Sequence, residues 1–91
     1  MKTLFKVINQ SDPIQITKQD GSLTNKCSIV LQEIGGKYEN TYVASLLGNA
    51  AVCKFYPNDY VWASLRFSSN EYQGRWYMEA TVQDIISFSH H

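Results

Sequence analysis

Residues 42–67, YVASLLGNAAVCKFYPNDYVWASLRF, carry the pattern that decides the fold. Apolar and polar residues alternate over residues 42–47 and again over residues 60–67, which predicts a strand at each end of the stretch. Between them, Asn49 is a good N-cap and the alanines after it favour helix. Pro57 stops a helix, because proline lacks the N–H that a helix needs. The stretch therefore predicts a strand, a short helix and a second strand.

The helix is predicted over residues 49–55, and the turn that follows it contains Asn58 and Asp59. Asparagine tolerates the left-handed backbone conformation better than most residues other than glycine. We therefore expect Asn58 to have a positive φ and to turn the chain into the next strand.

Two strands are predicted before this stretch. The first covers residues 3–9, is interrupted at Asp12-Pro13, and resumes over residues 14–17, so a bent or bulged strand is expected. Asp20-Gly21 is a strong hairpin signal, since glycine supplies the positive φ of tight turns. The second strand then runs over residues 23–33.

After the stretch, residues 68–74 are predicted as a connecting loop and residues 75–86 as a fifth strand. Three strands, one short helix and two strands follow the order of an OB-fold, a partly open five-stranded Greek-key barrel. An SH3-like barrel is the nearest alternative, but it does not ordinarily place a helix between its third and fourth strands. The expected architecture is all-β, a single domain over residues 1–89, with His90 and His91 as a candidate tag remnant.

Alternation also predicts which side chains are buried. Tyr42, Phe55 and Phe67 are expected in the core, and Trp76 is expected to pack in the core or at the barrel end, since it shares the parity of Met78. Trp62 has the opposite parity from its apolar neighbours, so it is expected to point outward as a ligand contact or in a subunit interface.

Composition argues against an enzyme. The 91 residues hold eight Lys and Arg against eight Asp and Glu, and the two histidines are the last two residues. Without an internal histidine there is no imidazole general base, and no phosphate-binding loop or metal-ligand spacing is present. Cys27 and Cys53 are expected to be reduced structural thiols. We therefore expect no catalytic residues, no metal and no cofactor.

Several segments resemble the OB-fold single-stranded-DNA-binding proteins of bacteria. These are the Asp12-Pro13 bend, the Leu46-Leu47-Gly48 entry into the helix and, most specifically, residues 72–77, YQGRWY. The last segment looks like the Tyr-x-Gly-Arg-Trp-Tyr signature of a short single-domain type of that family. Members commonly carry an outward Trp or Phe where this chain has Leu47, and the long acidic tail of the bacterial proteins is missing here.

The resemblance implies non-enzymatic binding of single-stranded DNA, with RNA as an alternative, in replication, recombination or repair. Binding without sequence preference needs aromatic rings on which bases stack and cations beside the phosphates. The candidate nucleic-acid-binding residues are Lys26, Lys37, Tyr38, Trp62, Arg66, Tyr72, Arg75, Trp76 and Tyr77. Because the net charge is zero, modest affinity per subunit is expected, and a homodimer or higher homo-oligomer would add avidity.

The main alternative is a protein-interaction module that docks a partner through the same aromatic surface, since Trp, Tyr and Arg anchor many interfaces. A barrel that binds a small molecule or oligosaccharide is a third option. The longest apolar run is far too short to cross a bilayer and the N-terminus has no secretory signal, so a cytoplasmic protein with no membrane contact is expected.

Overall fold

The computed structural model of the chain describes residues 1–35 and 40–88, and one curved sheet dominates it. The elements are β1 (Lys2–Gln10), β2 (Ile14–Thr17), β3 (Leu23–Glu33), β4 (Thr41–Leu47), α1 (Asn49–Val52), β5 (Tyr60–Tyr72) and β6 (Arg75–Ser87).

The sheet closes on itself through β1. The strand order is β1-β5-β6-β4-β3-β2, and β1 also pairs with β3. All neighbouring strands are antiparallel except β4 and β6, which run parallel. This is the predicted five-strand barrel with a helix between the third and fourth strands, the first strand being divided into β1 and β2. Closure removes the exposed edges that a small sheet would otherwise present.

The bend between β1 and β2 is confirmed. β1 ends at Gln10 and β2 begins at Ile14, immediately after Pro13. Ser11 fastens the bend to β3, because its N–H donates to the carbonyl of Ser28 at 2.8 Å and its Oγ accepts from the N–H of Ser28 at 2.8 Å. The chain can therefore turn away from the barrel without losing contact with β3.

The prediction made the helix too long and gave the wrong residue, Asn49, as its N-cap. The helix covers only Asn49–Val52, and the N-cap is Gly48, with φ 65° and no side-chain cap hydrogen bond. Asn49 is thus the first helical residue. Gly48 suits the cap position because glycine adopts a positive φ without steric cost.

The side-chain amide of Gln10 holds the segment that follows the helix. Its Oε1 accepts from the N–H of Phe55 at 2.7 Å, and its Nε2 donates to the carbonyl of Cys53 at 2.9 Å. The same Nε2 lies 3.4 Å from Sγ of Cys27. One amide therefore replaces backbone pairing for an irregular segment that crosses one end of the barrel.

The turn into β5 is built as predicted. Asn58 has a φ of 72°, and its N–H donates to the carbonyl of Val7 at 2.7 Å. Asp59 is buried, and its Oδ2 accepts from the N–H of Tyr56 at 3.0 Å. The turn is thereby tied to β1, beside the bulge that separates Val7 from Asn9 in the β1–β3 ladder.

The core is formed by side chains from all five barrel strands and from α1. Its fully buried large residues include Phe5, Ile29, Leu31, Leu46 and Leu65. Tyr42 and Phe55 pack against this core as predicted, and the Tyr42 ring meets Phe5 edge-on at 6.2 Å.

Two core predictions are wrong. Phe67 is 39% exposed and Trp76 is 70% exposed. Both have the parity of the buried face, but they lie where β5 and β6 have passed beyond the barrel. The alternation along each strand correctly assigned the face on which Phe67 and Trp76 lie. Whether these side chains are buried depended on where the barrel ends.

The predicted loop over residues 68–74 is also wrong. β5 continues to Tyr72 and β6 starts at Arg75, so the connection is the two-residue turn Gln73-Gly74. Both turn residues have positive φ, 51° and 78°, as a type I′ hairpin requires. Residues 67–72 and 75–79 form a two-stranded hairpin that we call the ribbon.

No helix in the described part of the chain is long and apolar enough to span a membrane. Cys27 and Cys53 are both free thiols; Cys27 is buried, whereas Cys53 is exposed.

We expect Gln10→Ala to lower the free energy of unfolding by about 1–2 kcal/mol, because it removes two backbone hydrogen bonds from the segment after the helix. Urea unfolding followed by tryptophan fluorescence measures this change. Gln15→Ala is the matched control, since Gln15 is exposed on β2. Equal unfolding midpoints for the two variants would contradict the role assigned to Gln10.

Candidate nucleic-acid interface

The pairing of β5 with β6 brings four of the candidate residues onto one surface. Residues directly opposite each other on antiparallel strands share a face. Tyr72 pairs with Arg75, Asn70 with Tyr77, and Arg66 with Thr81. Arg66, Tyr72, Arg75 and Tyr77 therefore point to the same side, which is the outer side of the barrel.

This surface continues across β4 and β3. Ser45 pairs with Thr81 on one side and with Ser28 on the other, so a row of small hydroxyl side chains leads from β3 to Arg66. We call the outer side of residues 26–30 of β3, residues 43–47 of β4 and residues 66–81 of the β5–β6 hairpin the front face. Its members are Lys26, Ser28, Val30, Val43, Ser45, Leu47, Arg66, Ser68, Asn70, Tyr72, Arg75, Tyr77, Glu79 and Thr81.

A groove borders the front face at the end away from the ribbon. It has a volume of about 420 Å³ and lies between β2 and β3, where Ile14 and Ile16 face Lys26 and Ser28. Lys26 pairs with Ile14 on β2 and with Leu47 on β4. The front face is thus bounded by β2 at one end and by the ribbon at the other.

The aromatic side chains at the ribbon end are accessible. Tyr72 is 65% exposed and Tyr77 is 46% exposed. No described carboxylate forms an ion pair with Arg66 or Arg75. Each guanidinium is therefore available to pair with a phosphate or to stack on a base.

The charge of the front face differs from that of the chain. Its cations are Lys26, Arg66 and Arg75, and its single carboxylate is Glu79. Three positive charges against one negative charge leave this surface basic on a protein of zero net charge. The fold therefore concentrates positive charge that the composition does not reveal.

Trp76 is not on the front face. It pairs with Glu71 and, with Met78 and Phe67, lies on the opposite side of the ribbon. Trp62 is also separate from the ribbon, since it lies about 13 Å along β5 from Arg66 at the usual rise per residue.

Trp62 instead faces outward between Leu4 of β1 and Ile86 of β6. Its side chain is half-buried, as an outward residue between two apolar neighbours would be. Lys37 and Tyr38, the other two candidates, lie outside the described residues.

Sequence reasoning missed the middle of the front face. Val43 is 63% exposed and Leu47 is 45% exposed, and Ser45 and Thr81 connect them to the ribbon. Val43, Ser45 and Leu47 alternate along β4 with the predicted core residue Tyr42 and the residues of its parity, and that signal could have identified them. The parallel pairing of β4 with β6 could not be read from local pattern.

In the described part of the chain, no three His, Cys, Asp or Glu side chains lie close enough together to hold a metal ion. The pKa of the Asp20 carboxyl is lowered, because this group accepts from the hydroxyl and the N–H of Ser22 in the hairpin turn. Such hydrogen bonds are typical of an Asp side chain in a turn and do not indicate a bound ligand.

Comparison with solved structures identifies the fold. The second OB-fold domain of replication protein A from Methanococcus maripaludis is similar with a TM-score of 0.76 and 17% identity, over 99% of this chain and 84% of that one. The SSB domain of a Synechococcus protein is similar with a TM-score of 0.62 and 19% identity, over 93% of this chain and 90% of that one. The chain therefore has an OB fold. No protein-family model and no curated protein matches the sequence.

We expect Tyr72→Ala and Trp76→Ala to change the free energy of unfolding by no more than about 0.5 kcal/mol, because both side chains are exposed. Leu65→Ala is the comparison, since Leu65 is buried and its truncation should cost about 2–5 kcal/mol. Urea denaturation measures all three. A large loss in either ribbon variant would show that the ribbon contributes to the core.

Proposed function

We propose that this protein binds single-stranded DNA on its front face. The single observation that carries the proposal is the alignment of Arg66, Tyr72, Arg75 and Tyr77 on one exposed surface of the β5–β6 hairpin. Aromatic rings give bases a surface for stacking that tolerates any sequence, and arginines neutralise the phosphates beside them.

The position of the front face within the barrel supports the proposal. OB-folds bind oligonucleotides on the face of their second and third strands, between the loop that joins strands one and two and the loop that joins strands four and five. In this chain that surface is the outer side of β3 and β4, between β2 and the ribbon. The hydroxyl groups of Ser28, Ser45 and Thr81 offer hydrogen bonds there to phosphates or base edges.

The two similar solved structures support a role in DNA replication, recombination or repair. One is a domain of replication protein A and the other is an SSB domain. The modest positive charge of the front face favours stacking over phosphate neutralisation as the main source of affinity. The proposed activity is binding without catalysis.

The first test is binding of fluorescein-labelled oligo-dT to the tag-free protein at about 50 mM salt, a concentration at which phosphate contacts are strong. Tyr72→Ala and Tyr77→Ala should each weaken binding about fivefold or more, because each removes a stacking surface. Val52→Ala, on the helix, is the matched control and should bind as the wild type does. Absence of binding by the wild type would refute the proposal, and oligo-rU under the same conditions distinguishes RNA from DNA.

Arg75→Gln should reduce both the affinity and its dependence on salt. Each lost phosphate contact lowers the slope of log K against log salt by about 0.7 on a single strand. Titrations from low to moderate salt measure this slope. A slope equal to that of the wild type would mean that Arg75 does not contact phosphate.

A second surface supports self-association. The outer side of β1, β5 and β6, which we call the back face, exposes a row formed by Leu4, Trp62 and Ile86. Tyr60 and Phe88 extend this row and are 52% and 58% exposed. Contiguous exposed apolar surface of this kind marks interaction sites.

The charges around the back face favour a second copy of the chain as its partner. Lys2 lies at the β1 side and Asp84 at the β6 side, both in the row that passes through Ser64. In a twofold interface the same patch meets itself, so opposite charges on opposite sides can pair across the axis. We therefore propose a homodimer, which would also place two front faces on one strand of DNA.

Ile86→Lys should convert this dimer to a monomer, because it places a charge in the apolar row. Light scattering after size-exclusion chromatography measures the mass. Val52→Lys is the matched control, since Val52 is 54% exposed but lies on the helix. If wild-type protein is a monomer at every concentration, the back face does not mediate self-association and docking of another protein becomes the alternative.

A further inference from the structure

The reverse side of the ribbon carries a second row of large exposed side chains. Trp76 is 70% exposed, Met78 is 74% exposed and Phe67 is 39% exposed. The row continues to the barrel end, where the Phe67 ring meets the Tyr42 ring at 5.9 Å. Neither the core nor the front face accounts for these exposed side chains.

Apart from the contact of the Phe67 ring with Tyr42, the ribbon extends away from the described barrel. β6 pairs with β4 only at Ala80 and Thr81, and β5 pairs with β1 only as far as Ser64. Beyond these points β5 and β6 pair only with each other, and every residue from 67 to 79 is exposed. A flexible chain can therefore pass around the ribbon as well as along it.

The tip of the ribbon is narrow and has a cation beside it. The turn has two residues, Gln73 and Gly74, and the next cross-strand pair is Tyr72 with Arg75 on the front face. Trp76 follows Arg75 directly and points to the other side. The cation of Arg75 on the front face is therefore one residue step along β6, about 3.3 Å, from the aromatic surface of Trp76 on the reverse side.

We propose that single-stranded DNA bound to the front face crosses the tip of the ribbon and stacks a base on Trp76. This inference rests on the proposed function and extends its binding path to the opposite side of the same two strands. Arg75 contacts the phosphate at the crossing, and Trp76 supplies the stacking surface beyond it.

The positions of two carboxylates give the proposal a consequence that can be measured. Glu71 pairs with Trp76 on the reverse side, whereas Glu79 lies on the front face. A carboxylate next to a bound strand repels its phosphates. Glu71 should therefore oppose only those DNA strands that are long enough to cross the tip, while Glu79 should oppose strands of every length.

The test uses labelled oligo-dT from about 4 to about 16 nucleotides, the range of site sizes of OB folds. Trp62→Phe leaves Trp76 as the single tryptophan, so its emission reports contact on the reverse side. Short oligonucleotides should bind, as seen by their anisotropy, without quenching Trp76, and long ones should quench it. If Trp62→Phe does not fold, the difference in emission between wild type and Trp76→Phe gives the same signal.

Affinities provide the second measurement. Glu71→Gln should strengthen binding of the long oligonucleotide about twofold or more and leave the short one unchanged, whereas the matched control Glu79→Gln should strengthen both. Trp76→Ala should weaken binding of the long oligonucleotide about fivefold or more.

Two results would overturn the crossing. One is unquenched Trp76 at saturation with every length, and the other is an equal effect of Glu71→Gln on short and long strands. Either result, with anisotropy still reporting binding, would leave the proposed function standing and assign the reverse side to another ligand such as a protein. Absence of binding at any length would refute the proposed function itself.

Discussion

The structure depends on β1 pairing with two strands at once. Its residues from Lys2 to Lys6 pair with β5, and those from Phe5 to Gln10 pair with β3 across a bulge. This double pairing closes the barrel, so Phe5 and Val7 are fully buried. A thin core in a chain of 91 residues gains from such closure, because the pairing of β1 on both sides leaves less strand edge of the barrel to solvent.

Closure of the barrel also determines which parts of the strands expose both of their faces to solvent. Inside the barrel, alternate residues of each strand enter the core; beyond it, the same alternation leaves both faces of the ribbon exposed. Phe67 lies at this transition, since it has the parity of Leu65 but is 39% exposed, with its ring against that of Tyr42. The Tyr42 hydroxyl donates to Oε1 of Glu33 at 2.9 Å, and this hydrogen bond raises the pKa of Tyr42. The barrel end is therefore closed by an anchored aromatic pair, from which the ribbon extends.

Zero net charge and a nucleic-acid ligand are compatible in this fold. The front face gathers Lys26, Arg66 and Arg75 from three strands, while Asp59 is buried in a turn and Asp20 accepts hydrogen bonds in another. Carboxylates that accept backbone hydrogen bonds in turns repel DNA less than carboxylates on the front face would. The average charge of a chain is thus a poor measure of the potential at one of its faces.

The sequence by itself determined the order of elements, the bend at Pro13, the positive φ of Asn58 and the packing of Tyr42 against the core, because these follow from local backbone preferences and period-two alternation. Only the tertiary structure decided that residues 68–72 extend β5, that Phe67 and Trp76 are exposed, and that Arg66 aligns with Tyr77 while Trp62 lies on another surface. Those features depend on where the barrel closes and on the register between strands distant in sequence, and local pattern contains no information about either.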